Sequence, residues 1–171
     1  MERCVNTLRE WTGKSRANVL YDSTVDELTH DGLFNNVKGK PNITLVGFTA
    51  DGDVFGGFYN VAATEQDRWF NDPTIFAFSF ESHGRCDTPQ RFLVKEETKI
   101  CSGVKFYKNP SFGAFVWFYG EHGWFSLGNE RSGTHCVNTP QVFDGIEDTT
   151  LTGKNNFESI SNTRLVAVQR S

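Results

Sequence analysis

The chain has 171 residues and a net charge of −4, with 37% hydrophobic and 14% aromatic residues, a balance that fits one globular domain with a sizeable core. Broad electrostatic binding to nucleic acid or to an anionic membrane needs a basic surface, so this acidic balance argues against both. No apolar run approaches the roughly 18 residues of a membrane helix, and the polar start is unlike a secretory signal. We therefore expect an intracellular, cytoplasmic protein without membrane insertion, and a nuclear location stays open.

Two helices are predicted before the first long strand. The first follows from apolar residues at helical spacing and ends at Gly13; these residues are Cys4, Val5, Leu8 and Trp11. After a short strand at 19–21, the second helix is predicted over 24–38, where Gly39, Lys40 and Pro41 stop the pattern.

A β-hairpin is predicted over residues 42–60. Asp51 and Gly52 stand between two apolar runs, and such a pair favours a tight turn because it tolerates positive φ. Gly56 and Gly57 follow Phe55 inside the second run. Glycine weakens a strand, so this pair indicates a bulge or the close approach of another backbone.

Short strands dominate the rest of the chain. Phe76, Phe78 and Phe80 alternate with small residues, which predicts a strand whose aromatic face points inward. Further strands are predicted at 91–94, 104–107, 114–119, 124–127 and 165–168, whereas the polar segment 128–158 shows no clear element and is expected to be functional or mobile. The fold class that follows is α+β and β-rich, with two packed antiparallel sheets flanked by short helices.

The sequence contains no recognisable catalytic or metal-binding motif. The sequence has no Gly-x-Ser-x-Gly elbow, no complete phosphate-binding loop and no paired Cys/His spacing for zinc. Asp51 and Asp53 are interpreted as turn residues. Trp69, Trp117 and Trp124 are assigned to core packing rather than to stacking on bases or sugars. We expect a protein that is not an enzyme and that uses neither cofactor nor metal.

Two of the four cysteines are candidates for redox sensitivity. Cys86 and Cys136 lie in polar, loop-like sequence with His and Arg nearby, and such neighbours lower a thiol pKa. The simpler alternative is an ordinary exposed thiol.

The order of these motifs resembles the TLDc domain found in oxidation-resistance proteins. The matching pieces are 20–23, the run from Asp51 to Phe58 with its Val-Phe-Gly-Gly-Phe core, 75–80, and 157–160 followed by the strand at 164–168. Several of their residues form family motifs expected to be mainly structural: Asp51, Gly52, Phe55, Gly56, Gly57, Phe76 and Phe78. The last strand lacks the family's usual Trp, so the chain resembles a divergent member.

The resemblance implies one TLDc-like domain over 1–171, with a short helical extension at about 1–14. It also implies a non-catalytic interaction module associated with the oxidative stress response and acting through protein partners. For some members of the family these partners are subunits of the vacuolar proton ATPase. Two alternatives stay open. One is a nucleic-acid-binding or transcription-regulatory protein with a basic patch near Lys14, Arg16, Lys38 and Lys40, and the other is a thiol-based redox sensor. The sequence leaves the oligomeric state unspecified.

Overall fold

A computed structural model describes residues 2–129, 133–154 and 158–171 of the chain. Within these residues the protein forms two antiparallel sheets, two α-helices and two short 3-10 helices. The helices are α1 (Glu2–Thr12), α2 (His30–Val37) and the 3-10 helices Glu96–Cys101 and Thr139–Gln141. The predicted first helix is thus confirmed, and Gly13 follows it with a φ of 65°.

The first sheet has six strands in the order β1-β11-β2-β3-β5-β6. Its strands are β1 (Ala17–Asp22), β2 (Ile43–Thr49), β3 (Val54–Tyr59), β5 (Phe76–Glu81), β6 (Gln90–Leu93) and β11 (Asn162–Arg170). The second sheet has five strands in the order β10-β9-β8-β7-β4. Its strands are β4 (Trp69–Asn71), β7 (Gly103–Phe106), β8 (Ala114–Tyr119), β9 (Trp124–Gly128) and β10 (Cys136–Val137). The predicted β-rich class with two antiparallel sheets is confirmed.

The main core lies between the two sheets and is built largely from phenylalanine rings. Phe118 and Phe125 stack with their ring centroids 4.8 Å apart, and Phe55 of the first sheet meets Phe125 edge-on at 6.0 Å. Leu33 and Phe34 of α2 are buried in the same cluster. Burial of so many large apolar side chains is the main force that holds the sheets together.

The predicted hairpin is present, and its glycines show why the sequence requires them. Gly52 sits in the turn with a φ of 87°. A Cβ added to Gly56 would lie 1.9 Å from the backbone oxygen of Leu45, and one added to Gly57 would lie 2.6 Å from the ring of Phe118. The close approach predicted from the glycine pair therefore involves both a neighbouring strand and a core ring.

The aromatic face of β5 points away from the main core, so the predicted inward direction was wrong. Phe76 and Phe78 belong to a second buried cluster on the other side of the six-stranded sheet, while Ala77 between them faces the main core. Trp11 of α1 covers this cluster, with ring centroids 6.0 Å from both Phe76 and Phe80. The first helix is thus packed on the sheet through one large aromatic side chain.

Replacement of Trp11 by alanine is expected to lower the free energy of unfolding by about 2 kcal/mol, because a half-buried indole loses its contacts with three phenylalanines. Val5→Ala, at an exposed position of the same helix, should cost less than about 0.5 kcal/mol. Urea denaturation measures both values. Equal losses in the two variants would contradict the packing role of Trp11.

The second helix is shorter than predicted and begins at His30. Thr29 caps it, since its side-chain oxygen accepts a hydrogen bond from the backbone N–H of Gly32 at 2.9 Å. The preceding residues form a turn instead, in which the Asp22 carboxylate accepts a hydrogen bond from the backbone N–H of Thr24 at 3.0 Å. Side-chain bonds of this kind compete with helix formation, which explains the misplaced boundary.

The segment 128–158, predicted to have no clear element, contains β10 and a 3-10 helix among its described residues. Val142, Phe143 and Leu151 from this segment are buried in the main core. These apolar residues anchor the segment without forming a helical or alternating pattern, so sequence periodicity does not reveal them. Phe157, one of the residues in the family motif, lies outside the described residues.

Candidate functional site

A buried ion-pair cluster lies directly beneath the hairpin turn. Asp53 is only 1% exposed, and its Oδ1 atom lies 2.9 Å from Nη2 of Arg85 and 2.6 Å from Nδ1 of His83. A carboxylate removed from water needs such partners, because its desolvation otherwise costs several kcal/mol. The interpretation of Asp53 as a simple turn residue missed this role.

Arg85 connects the hairpin to a third segment of the chain. Its Nε donates to the backbone oxygen of Thr150 and its Nη2 to that of Leu151, both at 3.1 Å. Nearby, Nζ of Lys154 lies 3.7 Å from Oδ2 of Asp51. The family-like hairpin, the loop after β5 and the loop around 150–154 are therefore joined through Arg85, which pairs with Asp53 and donates to both backbone oxygens.

The two candidate redox-sensitive cysteines occupy different environments near this cluster. Cys136 lies in β10 and is 2% exposed, and burial raises the pKa of its thiol to about 12. Cys86 is half-buried, and its backbone N–H donates to Oγ of Ser82 at 3.2 Å. Only a thiolate reacts readily with peroxide, so the geometry favours Cys86 over Cys136 as a reactive thiol.

Thiol labelling of the native protein should follow this difference in burial. We expect exposed Cys101 to react fastest and half-buried Cys86 more slowly. Cys136 should react at least about a hundredfold more slowly than Cys101, because it needs both exposure and ionisation. Mass spectrometry after timed alkylation measures the rates, with urea-unfolded protein as the control in which the three should converge. Native labelling of Cys136 at the rate of Cys101 would contradict the structure.

The three tryptophans assigned to core packing lie instead on the outer face of the five-stranded sheet. Trp69, Lys105 and Trp117 are directly paired across β4, β7 and β8, so their side chains share one face. Val104 and Phe118, on the opposite face, are buried in the main core. Trp69 is 52% exposed, which shows that this side of the sheet is open.

We call this surface the aromatic face and define it by Trp69, Lys105, Tyr107, Phe112, Trp117, Tyr119 and Trp124. Its rings are in mutual contact: Trp117 stacks on Trp124 at 4.3 Å between centroids, and Trp69 meets Tyr119 edge-on at 4.6 Å. Trp69 and Phe112 are more than half exposed, whereas Tyr107 is buried. A contiguous, partly exposed aromatic surface of this kind is typical of an interaction site. The sequence identified these aromatic residues, but it did not predict that their side chains lie on the outer side of the sheet.

The four basic residues of the predicted patch do not share one environment. Arg16, Lys38 and Lys40 are exposed, whereas Lys14 is half-buried beside a cleft of about 620 Å³ between α1 and the six-stranded sheet. Among the described residues, no group of three or more His, Cys, Asp or Glu side chains is placed to hold a metal ion.

Comparison with known proteins places the chain in a family. The TLDc domain model matches residues 2–158, which is most of the chain and includes α1. The chain therefore belongs to the TLDc domain family, which confirms the resemblance seen in the sequence. A search of the curated proteins gives no match. Within the described part of the chain, no helix has the length and apolar character needed to cross a membrane.

Proposed function

We propose that this protein is a non-catalytic interaction module of the oxidative stress response, which acts through contacts with other proteins. The observation that carries the proposal is the aromatic face, whose rings, apart from that of buried Tyr107, are at least partly exposed on the sheet. Clustered Trp and Tyr residues are the side chains that contribute most to binding energy at protein interfaces. Membership of the TLDc family supports the link to oxidation resistance.

The proposal predicts that the folded chain protects cells against peroxide. Cells from which the gene has been removed should survive a peroxide challenge better when they produce the wild-type chain. They should gain no protection from Gly56→Ala, in which an added Cβ would collide with the Leu45 backbone. Immunoblots must confirm the amount of each protein. Equal survival with wild-type protein and with no protein would refute the proposed function.

A finer form of the proposal names the partner as the vacuolar proton ATPase, through which some TLDc proteins act. Its test is to mix the purified chain with the purified soluble sector of that enzyme and to measure co-migration and ATP hydrolysis. Co-migration that a Trp69→Ala variant loses would support this partner. Unchanged migration and unchanged hydrolysis would leave the interaction module with a different protein.

The thiol-based redox sensor remains the second candidate, and one observation favours it. Cys86 is half-buried in the loop that carries His83 and Arg85, and oxidation there would disturb the contacts of these two side chains with Asp53. Reversible loss of Cys86 labelling at low peroxide, together with faster labelling of Cys136, would support this function. The nucleic-acid-binding alternative stays a prediction that rests on the basic residues alone.

A further inference from the structure

We infer that the aromatic face binds a peptide segment of a partner protein that contains both acidic and apolar residues. A carboxylate of this peptide would contact the ammonium group of Lys105, and one of its apolar side chains would occupy the adjoining cleft. This inference deepens the proposed function, on which it rests, by assigning the surface and the chemistry of the partner. It follows from the placement of one lysine among the rings, from the charges around it, and from the size of the cleft.

The position of Lys105 is the first part of the argument. Its Nζ lies 4.2 Å from the ring centroid of Trp69 and 5.0 Å from that of Tyr107. Within the described part of the chain Lys105 forms no ion pair with a carboxylate. A half-buried ammonium held by aromatic rings alone is therefore available to an anion supplied by a partner.

The other charged groups near Lys105 leave it as the lysine that can accept an acidic partner. Arg68 lies 3.8 Å from Glu65, and the Asp67 carboxylate accepts a hydrogen bond from the backbone N–H of Lys108 at 3.2 Å. Arg68 thus already has an acidic partner, whereas Asp67 keeps its negative charge close to Tyr107. Burial lowers the pKa of His135 beside Trp124, which favours the neutral form of its ring. Lys105 thus supplies the positive charge at the centre of the aromatic face, and the group of the partner that meets it should carry a negative charge.

The cleft beside Tyr107 defines the apolar part of the partner. It has a volume of about 190 Å³, and its walls include Phe112, Trp117 and Trp124. Phe112 is 53% exposed at its rim. A space of this size accepts one large apolar side chain rather than a whole small-molecule ligand. A peptide that alternates acidic and apolar residues in extended form satisfies both parts of the surface.

The chain contains a built-in control for the experiment. Three of its four tryptophans belong to the aromatic face, and the fourth, Trp11 of α1, packs against the six-stranded sheet. The probe is a synthetic twelve-residue peptide in which Asp and Glu alternate with Leu and Phe. Titration of the ¹⁵N-labelled full chain should shift the indole N–H signals of Trp69, Trp117 and Trp124 and leave that of Trp11 unchanged.

Matched variants test whether the positive charge of Lys105 contributes to peptide binding. Lys105→Glu should weaken peptide binding about tenfold or more, and Lys105→Arg should retain most of the affinity. Lys40→Glu, at an exposed position between α2 and β2, should leave the affinity within about twofold. The same peptide with Asn and Gln in place of Asp and Glu should also bind about tenfold more weakly. Near-ultraviolet circular dichroism of each variant verifies that the fold is intact.

Several results would overturn the inference: no binding of the acidic peptide at millimolar concentration, equal binding of the neutral peptide, a shift of Trp11 as large as the others, or binding only to vesicles of anionic lipid. Peptide binding is measured on purified protein, whereas the proposed function is tested by peroxide survival of cells. Protection without peptide binding would therefore refute this inference alone, and peptide binding without protection would refute the role in stress.

Discussion

Gly56→Ala is expected to lower the free energy of unfolding by about 4 kcal/mol, a large part of the total stability of an ordinary domain. The added Cβ would lie 1.9 Å from the backbone oxygen of Leu45 and 2.8 Å from the buried ring of Phe78. A backbone oxygen in the middle of a sheet cannot move aside without breaking neighbouring strand pairs, so the collision cannot be relieved locally.

Gly84→Ala provides the matched control for that prediction. Gly84 has a φ of 84°, but a Cβ there would meet nothing within 4 Å. Its replacement should therefore cost only the backbone strain, about 1 kcal/mol. Chemical denaturation of both variants separates steric collision from strain. If Gly56→Ala lost no more unfolding free energy than Gly84→Ala, the close spacing of β2 and β3 would be contradicted.

Asp53→Ala should cost about 3 kcal/mol, because it removes the carboxylate from the buried cluster and leaves Arg85 without an acidic partner. Arg85 is 24% exposed and His83 54% exposed. Water therefore compensates part of the loss and keeps it at the lower end of the range for broken buried pairs. We also expect the loop around 150–154 to become more sensitive to proteases, since Arg85 binds its backbone oxygens.

Asp51→Ala is the control, since it changes the same residue type two positions earlier in the same turn. The Asp51 side chain is 56% exposed and lies 3.7 Å from a similarly accessible Lys154. An exposed pair of this kind contributes little, so we expect a change below about 0.5 kcal/mol. If urea denaturation gave the two variants equal stability, the cluster beneath the turn would not hold the loops together.

The sequence was sufficient to predict the elements whose signal is local. The Asp51-Gly52 turn, the helix ended by Gly13 and the β-rich class with two sheets all follow from residues that are neighbours in the chain. Alternation in β5 also identified correctly that Phe76 and Phe78 share a face. It could not determine which face meets the other sheet, because a strand buried on both sides has no polar side to reveal its direction.

The candidate site consists of residues that are distant in the chain, so the sequence alone did not predict which of them lie together. Asp53 and Arg85 are 32 positions apart, so nothing local distinguishes a buried carboxylate from an ordinary turn residue. The same limit applies to Trp69, Lys105 and Trp117, which become neighbours only through strand pairing. Lys105 lies between Val104 and Phe106 in β7. A charged residue between two apolar ones indicates that one side of this strand faces water.

Peroxide survival with two classes of variant tests the central claim most directly. Cells lacking the gene would produce the wild-type chain, a thiol variant with Cys86→Ser and Cys136→Ala, or a face variant with Trp69→Ala and Lys105→Glu, at matched protein levels. If the protein acts through contacts made by the aromatic face, the thiol variant will protect as well as wild type and the face variant will lose most of the protection. Full protection by the face variant together with loss in the thiol variant would contradict the account and establish a thiol-dependent function instead.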